Sequence, residues 1–303
     1  MFNHRFGLEI ECSGITREQA AKICAELLGG TADYAGGAYS AWHVTEPDQR
    51  VWKFVYDSSI VAVRKEGRRL VPAGNEYKVE MVSPILTYRE DIDTVQELVR
   101  RIRKAGGIAG KTCGCHIHLD GAPHTPKSIR NFVNIIAARN ELFYKALQIE
   151  PERMTYCKKM DEYMVRRMNE KKPKTFQQIA DVWYEGYQGN RNVHYHDSRY
   201  CFANLHSFFS GHHTVELRGF NAGTTEGKLH AGLIRSYIVL ALALNYQALT
   251  QKSASSRKPQ ADNERFAMRT YLNRIGFIGD EFKNCREHLC SHLSGNSAWR
   301  YRS

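Results

Sequence analysis

Acid is what this 303-residue chain is short of: 32 Asp and Glu stand against 43 Lys and Arg, a net charge of +11. It also lacks a long apolar run. The most membrane-like stretch, Ser236 to Gln251, is uncharged for about sixteen residues and contains Asn245 and Gln247, where a span needs roughly twenty apolar residues, so a buried helix is expected. Met1 leads almost directly into the patterned strand Phe6-Gly7-Leu8-Glu9-Ile10-Glu11, with no apolar leader. The 8 cysteines are scattered, only Cys113 and Cys115 being close, which suggests reduced thiols and a cytoplasmic chain. Gly29-Gly30, Gly36-Gly37 and Gly106-Gly107 are not followed by Lys-Ser/Thr, so they read as helix stops and turns, not as a phosphate-binding P-loop. No internal repeat is visible. An apolar content of 42% with 25% charged residues excludes a disordered chain, and the length suffices for one large domain, with or without a helical appendage.

What is present alternates between helix and strand signals. Thr16-Arg17-Glu18-Gln19 opens a helix with Ala20, Ile23, Cys24, Leu27 and Leu28 on one face. Short β-rich pieces follow at 52–56, 60–63 and 76–82, then a helix over about 90–105. A strand over 114–120 leads into a long helical stretch, roughly 126–185, with a charge-dense middle. Strands over 199–205 and 213–220 precede the apolar helix of about 225–250, and a polar linker leads to terminal helices. The expected class is α+β: a mostly antiparallel sheet with helices on one face. Residues 1–252 would form the main domain, including a helical insertion at about 121–198, with 253–303 as linker and C-terminal helices packed on it.

Several strands place charged or imidazole groups on one face and apolar residues on the other. Glu9 and Glu11 oppose Leu8 and Ile10; His116, His118 and Asp120 oppose Cys115, Ile117 and Leu119; Glu216 and Arg218 oppose Val215 and Leu217. Glu76, Lys78 and Glu80 alternate likewise. For one strand, a solvated face explains this. Several strands carrying carboxylates side by side need compensation by protons or cations. Hard divalent cations, Mg²⁺ above all, accept carboxylate oxygens and bridge to phosphates, so the pattern points to a face that holds metal and a polyanion.

The ordered set Phe6–Glu11, Asp57-Ser58-Ser59-Ile60, Glu80-Met81-Val82-Ser83-Pro84-Ile85-Leu86, Gly114–Asp120 and Val215-Glu216-Leu217-Arg218 resembles the amidoligase family. That family is similar to glutamine synthetase and glutamate-cysteine ligase. The resemblance implies a curved antiparallel sheet forming an ATP and metal funnel, and an ATP- and Mg²⁺-dependent carboxylate-amine ligase working through an acyl phosphate. It makes Glu9, Glu11, Glu80 and Glu216 metal ligands. It places His116 at nucleotide phosphate or its metal, with His118 beside it, and Arg218 on the transferring phosphoryl group. Glu76 stands as a same-face candidate for a further acid. Asp57 would take a proton from the attacking amine, or simply cap a turn. Small-molecule or peptide carboxylates and amines are the implied substrates.

Two other classes compete. Cys113, Cys115, His116 and His118 crowd together and His194 and His196 repeat the His-x-His spacing, so a zinc hydrolase can be written down, although Cys115 points away from the histidines on a strand. The basic insertion, with Arg153, Lys158, Lys159, Arg166, Arg167, Lys171, Lys172 and Lys174 among aromatics, could track a nucleic acid or hold a nucleic-acid-linked substrate. The simpler reading is a solvated insertion whose charges are balanced by nearby acids.

Overall fold

In the computed structural model, which describes residues 1–260 and 262–298, alternation on the first strand sets the frame. β1 (Arg5–Cys12) buries Phe6, Leu8 and Ile10 and turns Glu9 and Glu11 to the other side. Burying such side chains is worth about 1.5–3 kcal/mol each, so a one-residue slip that swapped the faces would be prohibitive. α1 (Arg17–Leu28) begins at Thr16, whose hydroxyl accepts the Gln19 N–H while the Gln19 side chain accepts the Thr16 N–H. Gly29, at φ 65°, ends it. β2 (Thr31–Gly36), β3 (Ala41–Thr45) and β4 (Val51–Val55) form a meander, and β5 (Val63–Glu66) with β6 (Arg69–Pro72) a separate hairpin. β7 (Val79–Val82), β8 (Leu86–Thr87), α2 (Tyr88–Lys104) and β9 (Gly114–Asp120) follow.

The insertion comprises α3 (Pro126–Ala137), α4 (Asn140–Leu147), α5 (Glu162–Lys171) and α6 (Phe176–Trp183). The expected continuous stretch breaks because Gln148 and Lys172 adopt left-handed φ of 45° and 44°, each with a proline soon after. Then come β10 (Ala203–Asn204), α7 (His206–Phe209), β11 (Thr214–Asn221), α8 (Ala231–Thr250), α9 (Glu264–Arg274) and α10 (Lys283–Cys290). The end of the expected tail, 299–303, lies outside the described residues.

The main sheet runs β10-β11-β9-β1-β7-β4-β3-β2, with β8 also on β1, and every pairing is antiparallel. The class is α+β, as the alternation predicts. Three strand expectations need correction. The 76–82 strand starts only at Val79, because Asn75–Tyr77 is a 3₁₀ turn; Glu76 is exposed and off the sheet. The 199–205 strand shrinks to Ala203–Asn204 because Asp197–Arg199 is a 3₁₀ turn capped by His196. The 60–63 strand is irregular, and β5 begins at its last residue.

The apolar face of the sheet carries Leu8, Ile10, Cys12, Cys115, Ile117, Leu119, Val215 and Leu217, all buried. α8 is long and apolar enough to cross a membrane, but it packs against α2, α3, α10 and β9 as a core helix. All 8 cysteines are free and buried, and burial pushes most of their thiols up.

One irregularity matters for the opposite face. Leu217 stands across from Ile117 and Phe220 across from Cys115, so Arg218 and Gly219 together oppose His116, a β-bulge. Phe220 thereby returns to the core and stacks on Tyr237 at 4.7 Å. Gly219 is required, because a Cβ there would lie 2.0 Å from the Phe202 ring. The guanidinium of Arg153 donates to the carbonyls of Arg218 at 2.7 Å and Phe220 at 2.6 Å. It sits over Gly114, where a Cβ would come within 2.3 Å of it. Arg153, expected on a basic surface, is instead only 3% exposed and clamps the bulge.

Candidate active site

Register assembles the outward face. Glu9 lies opposite His116, Glu11 opposite Glu80, and His118 opposite both Gly7 and Glu216. Residues directly opposite share a face, so the acids and imidazoles form one continuous row across β11, β9, β1 and β7. Every metal-ligand, nucleotide-contact and phosphoryl-contact candidate named from the sequence, Glu9, Glu11, Glu80, His116, His118, Glu216 and Arg218, lies on this row.

The row is wired by short contacts. Glu9 Oε2 lies 2.9 Å from His116 Nδ1 and Glu9 Oε1 lies 3.1 Å from His118 Nε2. Glu11 Oε2 accepts the Gly114 N–H at 2.6 Å, and its other oxygen lies 3.8 Å from His116 Nε2. Glu216 Oε1 accepts from Arg218, and Oε2 accepts from Asn204 Nδ2 at 2.6 Å. His118 Nδ1 meets Thr214 Oγ1 at 3.2 Å. Glu11, His116, Glu216 and Arg218 are buried.

Electrostatics divide the acids. Burial pushes the Glu9 carboxyl up, but His118 and His116 outweigh it and hold it well below the usual carboxylate range. Burial likewise opposes Glu216, which Arg218, His118 and His116 bring down to about 2. The same acids, Glu9 and Glu216, overcome burial to raise His118 to about 9. Glu80 is the exception: burial, then Glu9, Glu11 and Asp57, drive it well above the ordinary range, with Arg218 too weak to compensate. A carboxyl so placed holds its proton more tightly than a free one, and a bound cation would oppose that.

Three overlapping groups, sharing Glu9 and Glu80, have the spacing to hold a cation. Glu11, Asp57 and Glu80 offer oxygens within 4.8 Å of one another, as do Glu9, Glu80 and His116, and Glu9, His118 and Glu216. The first group is all carboxylate and suits a hard divalent cation; the other two mix imidazole with oxygen. Arg218 adds an observation about anions. Its Nε is buried without a hydrogen-bond partner among the described residues, an orphan donor that a phosphoryl oxygen would satisfy.

Both readings of Asp57 find a basis. Its Oδ1 accepts the Ser59 N–H at 2.6 Å, a turn cap, and the residue also joins Glu11 and Glu80 at the row. Two contributors had no legible signal: Asn204 reaches Glu216 from a two-residue strand, and Gly114 reaches Glu11 through its backbone. The cysteines of the zinc alternative are on the buried side. His196 is buried against His206 and bonds Ser198, and neither of these partners is an acid or a cysteine.

Half of the eight basic residues named on the insertion are paired with acids. Arg167 meets Glu170 and Glu185, Lys171 meets Glu185, Arg166 meets Glu170 and Lys159 meets Glu141. Lys158, Lys172 and Lys174 make no ion pair among the described residues. Of the four acids expected to balance the insertion, Glu152, Asp161, Glu162 and Glu170, only Glu170 meets its named arginines, whereas Asp161 caps α5, Glu152 meets Lys111 and Glu162 meets Lys258.

A family model described as "Putative amidoligase enzyme" matches residues 3–245. The chain belongs to this amidoligase family. None of the curated proteins matches it. Membership points to an enzyme of the ligase type. The matched span holds the entire row and its supports, while the amidoligase match stops within α8, before α9 and α10.

Proposed function

We propose that the protein is an ATP- and Mg²⁺-dependent carboxylate-amine ligase with a glutamine-synthetase-like sheet, forming an amide or peptide bond through an acyl phosphate. The observation that carries the proposal is the Glu80 corner, where four carboxyl groups crowd with no fixed cation sufficient to balance them. Glu11 and Glu80, with Glu9 and Glu216 alongside, would hold metal, leaving Asp57 beside them for the amine. When bound, Mg²⁺ supplies compact positive charge that offsets phosphate oxygens. The Glu9 bonds to both histidines keep their rings in register with the row, and Glu216 fixes Arg218 so that its unpartnered Nε can meet the transferring phosphoryl group.

In the first step an oxygen of the substrate carboxylate attacks the γ-phosphorus of ATP; the bond from that phosphorus to the bridging oxygen breaks and ADP leaves. In the second the amine nitrogen attacks the acyl carbon, the acyl carbon–oxygen bond breaks, and phosphate leaves with that oxygen. Asp57 Oδ2, without a hydrogen bond among the described residues, takes the proton lost by the amine.

The test is a donor and acceptor screen with Mg²⁺ and ATP. ADP should accumulate only when a carboxylate and an amine are both present, and ¹⁸O from a labelled carboxylate should appear in phosphate. No ADP, no condensed product and no nucleotide binding across the screen would end the ligase reading. Stoichiometric zinc in the protein as isolated, with hydrolysis that needs no ATP, would replace it by a hydrolase.

A further inference from the structure

The segment between α6 and β10 crosses the row from one end of the sheet to the other. At one end Asn204 holds Glu216; at the other the Tyr195 hydroxyl meets that of Tyr39 at 3.2 Å. Tyr39 lies in the turn between β2 and β3, and its carbonyl accepts the N–H of Tyr56, the residue before Asp57. The base of the crossing is an aromatic cluster. Tyr184, His196 and His206 are buried and packed together, with ring centroids 5.0 to 5.9 Å apart. The Val193 carbonyl, 3.0 Å from His206 Nε2, can only accept, so Nε2 carries the proton and Nδ1 accepts from the Tyr184 hydroxyl at 2.6 Å. Burial lowers His206, in keeping with that neutral ring.

Arg199 stands at the foot of this finger. Its guanidinium lies 5.2 Å from the Tyr195 ring and 5.9 Å from that of Tyr200, and donates to the His194 carbonyl at 3.2 Å. Its Nε is buried with no hydrogen-bond partner among the described residues. Among the described residues Arg199 makes no ion pair, although Arg167 and Arg191, on the same insertion, each have an acid. Burial, Arg199 and His212 lower His194 while Glu216 and Glu9 raise it, so this group lies within electrostatic reach of the row. An unsatisfied buried donor costs about 1–3 kcal/mol, which a bound acceptor recovers. The acids of the row repel any anionic substrate, and Glu216 already engages Arg218.

We propose that Arg199, flanked by His194 and His212, is an oxyanion-binding subsite above the row that takes a carboxylate or phosphate group of a substrate. The subsite itself stands on the geometry; that its ligand is a ligase substrate rests on the reading above. Calorimetric titration of the full chain with MgADP, inorganic phosphate and glutarate tests it in wild type, Arg199→Gln, Arg199→Lys and the control Arg166→Gln, each checked for an unchanged unfolding temperature. Arg199→Gln should weaken at least one probe about tenfold, with Arg199→Lys between and the control unchanged. Weaker MgADP and phosphate with glutarate unchanged identifies a phosphate; weaker glutarate alone identifies a carboxylate. Equal binding of all three probes by wild type and Arg199→Gln, or no binding of any by wild type, overturns the subsite. Failure of the ligase reading shows elsewhere, as wild type that releases no ADP in the substrate screen while still binding phosphate or glutarate through Arg199.

Discussion

On the insertion, Arg167 reaches two acids and Lys171 shares one of them, at the surface, where water already screens each charge. On the sheet, Glu80 has Glu9, Glu11 and Asp57 for company and too little positive charge to match. The first arrangement closes its accounts within the chain, and exposed pairs of this kind contribute little to stability. The second stays open to something the chain does not supply. The difference teaches that a net charge of +11 says little about where the chemistry lies: the informative charges are the minority sign, crowded on the strands.

The contrast can be broken at its strongest point by Glu216→Gln, which removes a row acid but keeps its shape. Turnover should fall about a thousandfold, read as ADP release, with the circular dichroism spectrum unchanged. Loss of folding instead would make Glu216 structural. Arg153→Ala comes next. It strips buried carbonyls of Arg218 and Phe220 of their donor and should cost about 3 kcal/mol in urea unfolding, unlike any exposed arginine of the insertion. A third test uses pH. His118 is raised to about 9 in the metal-free fold, so its stabilisation is complete below pH 6.5 and is lost as pH rises through about 9. The metal-free protein should therefore lose up to about 3 kcal/mol over that window, and His118→Asn should flatten the loss. Glu80 bears the opposite sign for ligand: Mg²⁺ must displace its proton, so affinity should rise with pH and calorimetry should record proton release, absent in Glu80→Gln. Smallest of all, Arg166→Ala should shift stability by less than about 0.5 kcal/mol.

The row was legible because a strand has period two and its acids recur at that period; Glu9, Glu11, His116, His118, Glu216 and Arg218 needed no more than alternation. Glu76 failed the same test because alternation does not register a 3₁₀ turn interrupting it after Gly74. Arg153 was misread because composition cannot tell a solvated arginine from one buried over a glycine; only the clash a Gly114 Cβ would make reveals the partnership. β2 went unread, since Thr31–Gly36 is mostly exposed and shows no apolar alternation. The crossing segment carries no periodic signal at all, and its position over the row emerges only from the Tyr39–Tyr195 and Asn204–Glu216 contacts.

The bulge at Arg218-Gly219 acts on the strand as a spare tooth acts on a gear. Upstream, the even positions of β11 point to the acids; downstream, Phe220, also even, points to the core. Deleting Gly219 would leave plain alternation, with Arg218 still opposite His116 and Phe220 still opposite Cys115, and would remove instead the one residue of slack that turns the carbonyls of Arg218 and Phe220 onto Arg153.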